Sequence, residues 1–311
     1  MPLIKAMKPI SFVRDLQFRI EYLALRAVVA LSHVFPLERA TAASAWTWRR
    51  LAPIINPRRH ARALENLAIA FPEMPEAERQ TIVAAHWENL GRIMIETMRL
   101  GDILNDPDRI EIKNWTTFVR YRNKLGPIVG VSLHMGNWEL SVWPLALAGA
   151  NPAAVYRSVN NPYVDGFLRE QREALYPGGL FGRGGVEGEH GESQKTARVI
   201  MDYVRRGGRL GMVCDLYDRT GIPVPFFGRD AMTQAIGVMI ARRVGARVWL
   251  ARCVRKGTSS RFWIELEELR IPRTADQGAD IRWAMAEMQR IFEKWVREYP
   301  EQWMWSNRRW S

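Results

Sequence analysis

From residue 128 onward, five short β-type runs, at 128–133, 153–156, 210–214, 247–254 and 262–266, alternate with stretches of helical character. Parallel neighbours need a long crossover between them, usually a helix. The alternation therefore predicts an α/β fold, a central mostly parallel sheet flanked by helices. The residues before it read as a helical N-terminal third. Two helices are expected within the first 55 residues. Asn56-Pro57 then supplies a cap and a first-turn proline for a helix carrying Leu64, Leu67 and Ala68 on one face and stopping near Phe71-Pro72. A further helix is expected from about residue 75 to 100. There is no internal repeat and no linker that cleanly divides the chain, so 1–55 and 56–311 are taken as two segments of one continuous architecture.

Whether the N-terminus meets a membrane is decided by length and charge. Lys5, Lys8, Arg14 and Arg19 precede the segment YLALRAVVALSHVFP at 22–36, whose apolar run is broken by Arg26 and His33. A span needs about 20 predominantly apolar residues, so an interfacial helix is expected, with a single span ended by a snorkelling Arg26, or a core helix, as alternatives. Ala40-Thr41-Ala42 imitates a signal-peptide cleavage site, but Glu38, Arg39 and the long basic lead argue against one. With 45 basic against 33 acidic residues, a formal +12, the partner is expected to be polyanionic: nucleic acid, anionic lipid or an acidic protein. Thirteen Trp residues tilt that choice towards lipid, because indole is favoured at headgroup depth. Nucleic acid is disfavoured, since no recognised binding motif is present. Cys214 and Cys253 form neither a disulfide framework nor a zinc spacing, which fits a reducing compartment.

The chemistry is concentrated in IVGVSLHMGNWELSVWPLALAG, residues 128–149. His134 follows a strand end at once, where open α/β sheets bind their ligands. Glu139, five positions on, is expected in the first turns of a helix from which its carboxylate reaches back to the imidazole. Such a carboxylate fixes the tautomer and leaves the other ring nitrogen to take a proton from an alcohol. Gly130-Val131-Ser132-Leu133 begins like a nucleophile elbow, but His134 occupies its final glycine position, which disfavours an acyl-serine hydrolase. There is no HExxH, no GxxxxGK[ST] and no clean GxGxxG, so neither a metal nor a nucleotide cofactor is expected. The stretch PGGLFGRGGVEGEHGES at 177–193 reads as a flexible surface loop, with a mobile element over an active site as its functional alternative.

Four blocks in order then become recognisable: His134 with Glu139; VYRSVNNP, with Tyr156, Arg157, Asn161 and Pro162; CDLYDRTGIPVPFFG, with Asp215 and the run 224–228; and PEQWMWSNRRW. With them the chain resembles the lipid A biosynthesis acyltransferases, the late lauroyl or myristoyl transferases of the wider lysophospholipid acyltransferase superfamily, from about Pro36 to Arg309. Two departures are present: Asn307 stands where the family usually has His before two arginines, and Leu216 and Tyr217 follow Asp215 where acidic residues or Gln are common. The resemblance implies an O-acyltransferase at the cytoplasmic side of the cell inner membrane. Its implied donor is an acyl carrier protein thioester and its acceptor a lipid A precursor, with acyl-coenzyme A transfer to a glycerolipid or phosphatidylinositol mannoside as the alternative. His134 and Glu139 are the implied catalytic pair, with oxyanion donors expected from the N–H groups of Gly136 and Asn137. Arg157, Asn161, Asp215 and Arg308 are the implied substrate-binding residues. Arg157 is expected on phosphate or shaping the donor site, with an ordinary ion pair as the alternative, and Asp215 on sugar hydroxyls, on Arg157 or in a purely structural role. VPFFG is expected either in an acyl tunnel or in the core. Residues 1–55 are implied to be membrane-associated helices and 56–311 the acyltransferase α/β domain.

Overall fold

The N-terminal helices begin and end where local chemistry dictates. The structure, a computed structural model, describes residues 11–115, 126–183 and 190–310. Helix α1 (Phe12–Val34) is opened by Ser11, whose hydroxyl accepts the Arg14 N–H at 3.4 Å. Helix α2 (Leu37–Ile55) follows Pro36, and α3 (Pro57–Ala70) starts on Pro57, where a missing N–H removes no helical bond. Asn56 does not cap α3 with its side chain; its backbone N–H instead closes the end of α2 on the Ala52 carbonyl. Helix α4 (Glu76–Met98) then packs against α2 and α3 and is continued by the short helix Leu100–Leu104.

Helices α2 and α4 cross closely because residue 91 is glycine. A Cβ there would lie 2.7 Å from the Ser44 carbonyl oxygen, and the Ser44 hydroxyl donates to the Gly91 carbonyl at 2.7 Å. Helix α1 is tied to the helix Pro162–Gln171 by polar contacts: Asn161 Nδ2 donates to the Phe18 carbonyl at 2.8 Å, and Tyr163 donates to Asp15 at 2.7 Å.

The strands are β1 (Ile110–Ile112), β2 (Ile128–Ser132), β3 (Ala153–Arg157), β4 (Gly179–Arg183), β5 (Arg209–Val213), β6 (Tyr217–Phe226), β7 (Arg229–Thr233), β8 (Arg247–Arg255) and β9 (Phe262–Leu269). Seven of them form one sheet in the order β1-β9-β8-β2-β5-β3-β4. Strands β8, β2, β5, β3 and β4 are mutually parallel, β9 pairs antiparallel with β8, and β1 runs parallel to β9. The fold is thus α/β with a mostly parallel sheet and a helical N-terminal part, as the alternating pattern implied. Strand β2 is central, with Val129 and Val131 in one core cluster and Ile128 in the other, so its sequence is apolar on both faces. The larger cluster unites strand residues with Leu67 and Trp87 of the N-terminal helices and with Phe292 and Trp295 of the long helix Gln277–Glu298.

Two expectations change. The glycine-rich stretch 177–193 is not one loop: β4 takes residues 179–183 and the helix His190–Arg205 begins at its far end, while 184–189 lie outside the described residues. VPFFG belongs to a separate antiparallel hairpin of β6 and β7, in which Phe226 pairs with Arg229. Phe227 and Gly228 form its two-residue turn with φ of 51° and 70°, the geometry that suits strand twist. Phe226 and Phe227 pack against Trp303, Trp305 and Trp310, which makes this run core.

Candidate active site

Ser132 at the end of β2 and Val213 at the end of β5 are register partners on adjacent parallel strands. His134 and Asp215 each lie two residues further on, so the sheet itself brings them side by side. The Asp215 Oδ1 is 2.7 Å from His134 Nδ1, and its Oδ2 accepts the His134 backbone N–H at 2.8 Å and the Trp303 indole N–H at 2.7 Å. Asp215 is completely buried, which on its own would raise its pKa. The attraction that Asp215 exerts on a proton at the His134 ring and these hydrogen bonds outweigh burial and hold the carboxyl below the usual carboxylate range. An ionised Asp215 can only accept, so Nδ1 carries the proton and Nε2 is the basic nitrogen. The ring is about one-fifth exposed and is braced edge-to-face by Trp138 at 5.1 Å.

His134 is fixed through its backbone as well. Its carbonyl accepts the Met304 N–H at 3.0 Å, and the chain turns tightly there, with Met135 N–H bonded to the Leu133 carbonyl at 2.8 Å. Gly136 follows with φ of 57°, and a Cβ at that position would lie 2.0 Å from the Cys253 carbonyl oxygen. No other residue fits this turn without moving β8.

The carboxylate expected on the imidazole was that of Glu139, and here the structure corrects the sequence reading. Residues 138–142 form a 3-10 turn, and Glu139 points to Arg172 in a two-bond ion pair, Nε to Oε2 at 2.9 Å and Nη2 to Oε1 at 2.5 Å. No hydrogen bond joins Glu139 to His134. Burial alone would lower the Arg172 pKa, but the Glu139 charge and hydrogen bonds raise it above its ordinary value. One of the expected oxyanion donors is spent: the Gly136 N–H goes to the Gln302 carbonyl at 3.1 Å. Burial pushes the Cys253 thiol up to about 12, which removes it as a nucleophile. Ser132 is buried and its hydroxyl donates to Ser141 at 3.0 Å, with no histidine partner.

The remaining candidates are spread out. Asp215 holds neither a sugar site nor Arg157, because both its oxygens serve His134 and Trp303. Arg157 is exposed at the end of β3, with no ion pair among the described residues. Asn161 is buried and structural, accepting the N–H groups of Tyr163 and Val164 at the start of its helix while donating to α1. Arg308 is exposed and lies 4.1 Å over the Tyr217 ring. Its neighbour Arg309 is fully buried, bonded to Thr233 and Gln289. Burial pushes Arg309 down to about 10, against the attraction of Asp215. Sequence reading missed Arg172 and Trp303, since neither carries a local signal that separates it from ordinary arginines and tryptophans.

Against β2 and β5 lies an apolar cavity of about 70 Å³ that reaches Trp138, the ring that braces His134. Trp138, Val142, Leu145, Tyr176 and Trp249 line it, together with the glycines Gly130 and Gly211. Those glycines are register partners on β2 and β5, and a Cβ on either would meet only ordinary van der Waals contacts at 3.6 Å or more.

This geometry coincides with a family. The chain matches the family described as bacterial lipid A biosynthesis acyltransferase over residues 14–311. It is similar to the lipid A biosynthesis palmitoleoyltransferase of Escherichia coli strain K12, 24% identical over 262 residues that cover 81% of this chain and 78% of that protein. It is likewise similar to the lipid A biosynthesis lauroyltransferase of the same organism, 26% identical over 260 residues, 78% of this chain and 76% of that one. A lipid A biosynthesis acyltransferase of Haemophilus influenzae is 31% identical over 131 residues, 39% of this chain and 40% of that protein. A match from α1 to the last residue, around a strand-end His134 held by a buried carboxylate, leaves one conclusion: the chain belongs to the bacterial lipid A biosynthesis acyltransferase family and is an O-acyltransferase.

Proposed function

We propose that the protein transfers a fatty acyl chain from an acyl carrier protein thioester to a hydroxyl of a lipid A precursor, with His134 as general base. The observation that carries this reading is the His134–Asp215 contact, which commits Nδ1 as donor and leaves Nε2 basic. Nε2 takes the proton of the acceptor hydroxyl as its oxygen attacks the thioester carbonyl. The C–S bond breaks, an ester forms, and the departing thiolate takes the proton from the imidazolium. General-base assistance of this kind contributes roughly 10²–10⁴-fold. Glu139, read from sequence as the second catalytic residue, acts in this account by anchoring the 138–142 turn through Arg172, and the apolar cavity takes part of the acyl chain.

The acceptor class and the donor rest on the family and on charge. The formal +12 suits both an acidic carrier protein and a phosphorylated lipid, and exposed Arg157 and Arg308 are available to phosphate. We place the protein at the cytoplasmic leaflet of the inner membrane as a peripheral enzyme. No helix of the described residues is long and apolar enough to cross a membrane. Helix α1 instead exposes Phe12, Leu16, Ile20, Leu23, Leu31 and Val34 in one stripe at helical spacing, the pattern of a helix lying in an interface.

The test incubates purified protein, with His134→Ala as control, with a tetra-acylated lipid A precursor and carrier proteins loaded with chains of different length, read by mass spectrometry. A gain of one acyl chain with the wild type alone supports the reading. Transfer only from acyl-coenzyme A to a glycerolipid or mannoside contradicts the donor and acceptor.

A further inference from the structure

The segment 302–304, within the PEQWMW block, runs directly behind the catalytic turn and bonds to it at every residue. The Gln302 carbonyl accepts the Gly136 N–H at 3.1 Å, and the Gln302 side-chain amide brackets residue 255, accepting the Arg255 N–H at 2.8 Å and donating to its carbonyl at 3.1 Å. Met135 and Trp303 form an antiparallel bridge, and Met304 N–H donates to the His134 carbonyl. Trp303 is 1% exposed, and its single polar side-chain atom is spent on Asp215 Oδ2 at 2.7 Å. That bond fixes the rotation of the carboxylate, because Oδ2 is held by Trp303 and the His134 N–H together while Oδ1 faces the ring.

We infer that Trp303 is a positioning residue for catalysis, acting through Asp215, whose indole N–H sets the carboxylate that orients His134. This rests on reading His134 as the general base. The titratable and charged groups around Asp215 are the His134 ring and the buried Arg309 guanidinium; Trp303 is uncharged and so acts by direction and hydrogen bonding. An aromatic ring without the N–H would keep the packing against Phe226 at 5.7 Å and Trp305 at 4.5 Å but leave Oδ2 with one donor fewer.

The test is a double-mutant cycle on acyl transfer. Trp303→Phe is expected to lower kcat by roughly 10- to 100-fold, the size of one hydrogen bond to a charged group, with KM within about twofold. In an Asp215→Asn background the same change is expected to have little further effect, because its target is already gone. Trp305→Phe is the control: its indole N–H bonds the Pro300 carbonyl at 2.6 Å, away from Asp215, and kcat is expected to stay within about twofold. An undiminished kcat in Trp303→Phe, an equal loss in both backgrounds, or an equal loss in Trp305→Phe overturns the inference. If Trp303→Phe does not fold, indole N–H resonances of wild type and Asp215→Asn decide. One strongly downfield signal moving upfield supports the bond, and no such movement overturns it. Turnover retained by His134→Ala is a different failure, that of the general-base reading itself.

Discussion

Asp215 grips His134 twice, by the ring nitrogen at 2.7 Å and by the backbone N–H at 2.8 Å, from the neighbouring strand of the sheet. A carboxylate that holds both atoms fixes the position of the imidazole as well as its tautomer. The two residues are 81 positions apart in the chain, and only the parallel register of β2 and β5 makes them neighbours.

Asp215→Asn is therefore expected to lower kcat by roughly 10²–10⁴-fold while the protein remains folded, because an amide can present the wrong group to Nδ1 and release the tautomer. Steady-state kinetics beside a thermal melt checks it. Glu139→Gln is expected to lose less turnover and more stability, since it breaks the pair with Arg172 and leaves that guanidinium largely buried.

A fully buried pair beneath the same turn predicts a larger effect on folding. Glu96 accepts from both terminal nitrogens of Arg255, from Ser260 and from Asn137 Nδ2, and Asn89 bridges Arg255 to the Gly136 carbonyl. Removing one partner of a buried pair costs about 3–5 kcal/mol, so Glu96→Ala is expected to lower the unfolding midpoint steeply in a denaturant titration.

His86 gives the pH dependence. Burial, opposed by a hydrogen bond to the Trp303 backbone, pushes its imidazole down from 6.5 to about 3. Between those values the unfolded chain binds a proton that the folded chain refuses. Stability from this group is thus complete above about pH 6.5 and is lost as pH falls, by about 2 kcal/mol at pH 5. Chemical denaturation at pH 7 and pH 5 measures it, and His86→Gln is expected to lack that part of the loss.

The membrane face predicts that Leu23→Glu, at an exposed position of α1, weakens flotation with anionic vesicles by about tenfold or more, while activity on detergent-dispersed acceptor is retained. The cavity predicts that Gly211→Ala shifts donor preference to shorter chains. Each displaced methylene is expected to cost about fourfold in kcat/KM for the original donor, read by competition between carrier-bound chains.

Much of the sheet was legible in the chain. The five β-type runs are β2, β3, β5, β8 and β9, because apolar residues in short runs bounded by turn residues have few other places to go. Strand β1 has three residues, β4 has two glycines among its five, and β6 carries a glycine and two prolines and opens on polar residues, so none carries a clear apolar signature. The position of His134 was legible for the same reason, as it directly follows a strand. Its partner was not. Glu139 is the nearest carboxylate in sequence, but a 3-10 turn aims it at Arg172, and the choice of Asp215 depends on which strand lies beside β2. Sequence spacing carries no information on strand order, and Trp303 is hidden by the same fact.

The most direct test of this arrangement is single-turnover acyl transfer by wild type, His134→Ala, Asp215→Asn and Glu139→Gln, with folding verified for each. The account predicts that His134→Ala and Asp215→Asn fall together, by roughly 10² or more, with Glu139→Gln well above both. A Glu139→Gln variant as dead as His134→Ala, beside an Asp215→Asn variant of nearly full rate, would contradict it.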